Sequence, residues 1–207
     1  GADTIDLRSI PFAPSVRELL VRDSAASLDL SYAGAGGLSL TMRYHFDPES
    51  YLVQVSGRVG GLGNREATLL TTVGPGLGVH DHVDHHSERE FAAVTGSENG
   101  IERIAFSRVE GVSSLGDSLI WAGIKDKYFL APVIAGEAAP PRSALLADAP
   151  DASRVVEEDE EVALPQALVT AAVPIAADGT FSYGAYLGPQ DYERLAAIGY
   201  DLEEVTP

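Results

Sequence analysis

The chain has 207 residues, 45% of them hydrophobic, enough to bury one sizeable core, and a single domain over residues 1–207 is expected. Its 14 Lys and Arg face 31 Asp and Glu, a formal charge of −17, so nucleic acid and anionic lipid surfaces would be repelled at long range and no nucleic-acid partner is expected. The absence of cysteine excludes a disulfide framework, thiolate catalysis and Cys-ligated zinc.

The opening, Gly1 to Asp6, has neither a basic n-region nor an apolar h-region, so no signal peptide is expected in it. The longest nearly apolar stretches, Tyr128 to Gly136 and Leu168 to Ala177, reach about half of the roughly 20 residues that a membrane-spanning helix needs. A short helical turn is expected near Ser15 to Val21, and Ser27 to Ala33 carries the first β signal. Leu38 to Phe46 then alternates, apolar at even positions and polar at odd ones, the pattern of a half-buried strand. Asp47-Pro48-Glu49-Ser50 supplies a turn, and alternation resumes with Tyr51, Val53, Val55 and Val59 on one face, so the two segments read as a hairpin.

Further β signals lie at Ala67 to Val73, Glu90 to Val94, Ile101 to Val109, Ser118 to Ile134, Ala167 to Ile175 and Phe181 to Leu187. They follow one another without amphipathic helices between them, which points to antiparallel sheets in a sandwich: an all-β class with one C-terminal helix. That helix is read over 189–198. Gly188 caps it, Pro189 sits where a missing N–H costs nothing, Asp191 and Glu193 complement the dipole and Gly199 stops the last turn. Tyr192, Leu195, Ala196 and Ile198 form an apolar stripe expected to pack on the sheet, with Glu193, Arg194 and Ala197 outward or at the margin. Ala138 to Ala152 and the acidic run Glu157 to Glu161 read as a loose excursion between strands.

The densest chemical cluster is His80-Asp81-His82-Val83-Asp84-His85-His86, with four of the five histidines. If extended, His80, His82, Asp84 and His86 share one face, a donor set suited to zinc, nickel or copper. Because the run follows Gly74-Pro75-Gly76-Leu77-Gly78, a solvated loop with nothing to fix the ligands is expected, and no metal is assigned to it. No Gly-x-Ser-x-Gly elbow occurs, and Gly34 to Gly37 and Gly60 to Gly63 lack the Gly-Lys-Ser/Thr ending of a phosphate loop. Nothing singles out a catalytic carboxylate pair, so no catalytic residue and no cofactor are assigned. In Trp121 to Ala131, the only Trp with Tyr128 and Phe129 reads as a central strand whose large side chains fill the interior.

Trp121-x-Gly123-x-Lys125-x-Lys127-Tyr128-Phe129-Leu130-Ala131, then Tyr186-Leu187-Gly188-Pro189 and Tyr192-x-x-Leu195-x-x-x-Gly199, resembles the periplasmic domain of the YidC/Oxa/Alb membrane protein insertases. That family shows a Trp-x-x-x-x-x-Lys/His-Tyr-Phe strand, a strand ending in Tyr-x-Gly-Pro and a helix beginning Gly-Pro-Lys-x-Tyr-x-x-Leu; Gln190 stands where it often has Lys. The hairpin through Tyr44 to Tyr51 and the Gly74-Pro75-Gly76-Leu77 element are also similar. The resemblance covers residues 28–207, most strongly 118–136 and 181–205, while the His-rich run and the acidic run depart from it. It implies a β-supersandwich similar to galactose mutarotase-like domains, lacking its opening strands here. The same resemblance implies a position on the periplasmic side of the bacterial inner membrane, in a protein embedded through helices absent from this chain. It further implies a non-catalytic interaction role, with Sec translocon components and nascent membrane proteins as partners. A carbohydrate-binding or mutarotase-like domain of the same fold is the alternative, although shared fold does not confer activity.

Overall fold

Alternation builds the first half of the chain, and burial on both faces builds its centre. The computed structural model describes residues 4–63, 65–77, 90–136, 143–149, 154–157, 160–163 and 166–206. Within them run β1 (Ala13–Pro14), β2 (Ala26–Ala33), β3 (Ser39–Phe46), β4 (Leu52–Gly60), β5 (Thr68–Val73), β6 (Ala92–Ser97), β7 (Gly100–Ala105) and β8 (Val112–Asp117). There follow β9 (Leu119–Lys125), β10 (Phe129–Ala135), β11 (Ser143–Asp148), β12 (Arg154–Glu157), β13 (Glu160–Ala163), β14 (Ala167–Pro174), β15 (Thr180–Tyr186), β16 (Gly188–Pro189) and the helix α1 (Tyr192–Ile198).

A 10-stranded sheet has the order β1-β2-β3-β4-β15-β10-β9-β6-β7, with β16 also on β10, and a 4-stranded sheet the order β5-β14-β11-β8. The β12–β13 hairpin is separate, and every described pairing is antiparallel. The two large sheets pack face to face as a sandwich, in the mainly β class, with one α-helix among the described residues, near the C-terminus. Leu40, Met42, Val55 and Phe181 of the larger sheet meet Leu69, Ala171 and Val173 of the smaller, and Ala122 and Ile124 meet Leu146 and Val169. A third cluster lies on the other face of the larger sheet, where Val94, Trp121, Leu130, Ile134 and Tyr186 receive Leu195, Leu202 and Val205 from the C-terminal segment.

The expected hairpin forms, with Leu40 opposite Val59 and Tyr44 opposite Val55. Tyr51 is an exception to the face expected for it: it precedes β4 and its ring meets Tyr186, which belongs to the third cluster. The continuous β signal at 118–134 resolves into β9 and β10 around a turn, and β8 forms just before it. The stretch 138–152, read as loose, contains β11, which pairs with both β14 and β8. Of the acidic run, Glu157 ends β12 and pairs with Glu160 of β13, and Glu161 pairs with Val156. No helix forms over 15–21; a 3-10 turn stands at Leu7–Ser9 instead, its Asp6 side chain accepting from the Arg8 N–H. The C-terminal helix begins at Tyr192 rather than 189, because Gly188 and Pro189 are held extended against Leu130 and Phe129.

Candidate interaction surface around the C-terminal helix

The β9–β10 turn is built by one carboxylate. Asp126 is buried, and its Oδ1 accepts the N–H groups of Tyr128 at 2.7 Å and Phe129 at 2.6 Å. This is the local capping that Asp performs in turns. Gln190 closes the turn from the other side. Its Nε2 donates to the carbonyls of Asp126 at 2.7 Å and Phe129 at 3.2 Å, and its N–H donates to the Tyr128 carbonyl at 2.7 Å. Next to it, the Tyr186 hydroxyl donates to the Pro189 carbonyl at 2.6 Å, and burial pushes that phenol up to about 12.

Asp191 rather than Gly188 caps α1, its Oδ1 accepting the Arg194 N–H at 2.9 Å. Gly199 ends the helix at φ 84°, and Tyr200 and Asp201, both in the left-handed region, reverse the chain into a 3-10 turn at Leu202–Val205. The indole N–H of Trp121 donates to the Tyr200 carbonyl at 3.0 Å, which ties this reversal to the sheet. Two glycines make room for the arrangement. A Cβ on Gly96 would strike the Trp121 indole, and one on Gly123 would strike the Ala131 carbonyl across the β9–β10 pair. On the flank, the Arg194 guanidinium lies 5.5 Å from the Tyr51 ring centroid, and that ring meets Tyr186 edge-on at 6.2 Å.

The structure thus gathers Trp121, Gly123, Tyr186, Gly188, Pro189 and Leu195 into one seat for the helix. It places the remaining residues of the expected set on the surface. Tyr128 is 42% and Phe129 36% exposed, not core, because β9 ends at Lys125 and both rings belong to the turn or the strand start beyond it. Lys127 is exposed with its Nζ 5.0 Å from the Tyr128 centroid. Tyr192, expected on the packed stripe, is 63% exposed, and Ala196 is exposed too; Leu195 is fully buried and Ile198 half-buried. Glu193, Arg194 and Ala197 are outward, as expected. His80, His82, Asp84 and His86 lie outside the described residues.

Three polar residues, Asp126, Gln190 and Lys125, have roles that the sequence did not give. Asp126 had a cue, an Asp two residues before a turn N–H. Gln190 and Lys125 had none. The Lys125 side chain is 1% exposed, with Nζ 3.6 Å from the Glu90 Oε2 that also accepts from Arg103 at 3.3 Å. Burial holds its ammonium below the ordinary lysine range, Arg103 adds to this and Glu90 opposes it. Beside the turn lies a shallow groove of about 160 Å³ lined by Leu77, Phe129, Leu130, Ala131, Leu187 and Gly188, none of them titratable. Among the described residues that lining suits an apolar contact and offers no acid–base pair.

The family model described as the YidC periplasmic domain matches residues 6–206. The membrane protein insertase YidC of Syntrophus aciditrophicus (strain SB) is 27% identical over 172 residues, covering 81% of this chain and 29% of that protein. The chain therefore spans less than a third of the length of that relative. Among solved structures, the α-galactosidase from Lactobacillus brevis aligns over 84% of this chain and 25% of its own at 12% identity and a TM-score of 0.43, too distant to carry an argument. With nearly its whole length matched by the family model, the chain belongs to the YidC periplasmic domain family.

Proposed function

We propose that this chain is the non-catalytic periplasmic interaction domain of a YidC-type insertase, which inserts and folds inner-membrane proteins alone or with the Sec translocon. On this reading the full-length protein is embedded in the inner membrane through helices outside this chain. The observation that carries the reading is the seat of α1. A body tethered to a bilayer transmits position only if its connecting segment is fixed to the fold, and Trp121, Tyr186 and Gln190 fix that segment by directed hydrogen bonds as well as by packing. The buried ionisable groups support a structural role too: Asp126 shapes a turn, and Lys125 pairs with Glu90.

A surface for a protein partner is at hand on the outer face of the 4-stranded sheet. Register brings Leu70, Thr72, Thr170, Leu145, Ser114 and Val112 to that face, all uncharged in a chain of net charge −17. Interface centres are depleted of charge in this way. Photoreactive side chains at Val112 and Leu145 in the full-length protein should crosslink to Sec components or to nascent membrane proteins. Anomerisation of galactose or glucose by the purified chain, read by polarimetry, would contradict the non-catalytic reading.

A further inference from the structure

Three of the five exposed aromatic rings among the described residues, Tyr51, Tyr128 and Phe129, form one pole with the exposed Leu187, and the exposed Tyr192 follows two residues after Gln190 at the start of α1. The backbone joins them: the Leu187 N–H donates to the Tyr51 carbonyl, the Gln190 N–H to the Tyr128 carbonyl, and Phe129 and Leu187 share the wall of the apolar groove. Asp126 and Gln190 hold the turn, so the rings are presented on a fixed frame rather than on a loop free to fold them inward.

What such a pole can meet is limited by area and charge. Exposures of 36% to 63% over five side chains leave about 500 Å² uncovered, given roughly 150–250 Å² per large ring. A stable protein interface needs roughly 800 Å² per partner. A second copy of a chain carrying −17 is repelled, and so is an anionic surface. Phenol rings, a phenyl ring and a leucine on a rigid tip match instead the headgroup boundary of a bilayer, where amphipathic aromatics settle with the ring in the apolar zone and the hydroxyl in the wet one. We infer that this pole docks on the zwitterionic lipid interface, a weak contact that matters because the rest of the protein tethers the domain beside the membrane. The inference rests on the insertase reading for that tether.

The absence of cysteine from the chain gives a clean probe. With any cysteine elsewhere in the full-length protein replaced, bimane is attached at Leu187→Cys or, on the far sheet, at Val112→Cys. The protein is then placed in phosphatidylcholine vesicles carrying a shallow acyl-chain nitroxide. Quenching at Leu187 should exceed that at Val112 about twofold or more, and Tyr128→Ser with Phe129→Ser should remove most of the difference in a protein that still melts cooperatively. Equal quenching at the two positions, or a photoreactive group at Leu187 that captures protein in place of lipid, overturns the inference. Substrate insertion measured in the same vesicles separates the two readings. Insertion without quenching sinks the lipid contact and leaves the insertase assignment standing, and quenching without insertion does the reverse.

Discussion

The two faces of the 10-stranded sheet are held by different physics. Toward the smaller sheet the contact is apolar side chain on apolar side chain, with Leu40, Met42, Val55 and Val133 against Leu69, Ala171 and Val173. On the opposite face a helix of 7 residues, too short to persist alone, is seated by one indole and by donors aimed at backbone carbonyls. The first face depends on volume. The second depends on volume and direction together, since a buried carbonyl stripped of its donor costs about 1–3 kcal/mol. Of the family-motif residues, Trp121, Tyr186 and Leu195 pack on the second face.

The outer face depends most on Trp121. Trp121→Ala should lose about 3–5 kcal/mol in urea unfolding, and a loss below about 1 kcal/mol would remove the indole from the core. Leu195→Ala should follow at about 2–5 kcal/mol. Trp121→Phe sharpens the contrast: most of the ring is kept, yet the orphaned Tyr200 carbonyl should still cost about 1–3 kcal/mol. Val55→Ala on the inner face should instead scale with the volume removed. Asp126→Ala, which strips the Tyr128 and Phe129 amides of their acceptor, should lower stability by about 1–3 kcal/mol while leaving the inner face intact in a thermal melt.

Alkaline titration probes both faces at once. Burial raises Tyr183 on the inner face and Tyr186 on the outer from 10.0 to about 12. The unfolded chain therefore loses these protons first. The contribution of the two phenols is fully present below pH 10 and is lost as pH rises through 12. Lys125 runs the other way, since its folded value lies below 10.5 and stability gains as its proton leaves. Chemical denaturation at pH 9 and 11 should show a net loss that shrinks in Tyr183→Phe. The smallest expected effect is at the histidine run: with His80, His82, Asp84 and His86 changed to Ser, melting should be unchanged, and zinc should not survive dialysis of the parent against a mild chelator.

The hairpin of β3 and β4 was legible because one of its faces is wet, so burial alternates along Ser39 to Arg43. Strands β6 and β9 are buried on both faces, alternation disappears, and β9 and β10 merged into one signal across a turn whose cue was a single Asp. Strand β8 escaped notice because Val112 to Asp117 buries only Leu115, and β11 because it hides in an Ala- and Pro-rich stretch. At the helix seat, resemblance found Trp121, Tyr186, Gly188, Pro189 and Leu195. It could not say that Tyr128, Phe129 and Tyr192 face outward, because an aromatic ring reads as core until the end of its strand is located. Nothing in the residue types announced that Gln190 would clamp a turn 61 to 64 positions away.

The most direct test of this account is amide hydrogen exchange along the chain. A helix this short owes its protection to its seat, so the Leu195 N–H, bonded to the Asp191 carbonyl, should exchange at a rate within about tenfold of the Val133 N–H at the centre of β10. In Trp121→Phe the α1 amides should lose protection while those of β4 and β15 keep theirs. An α1 that exchanges as a free peptide in the parent protein, beside a fully protected β10, would show that the helix is not fixed to the sheet and would contradict the account.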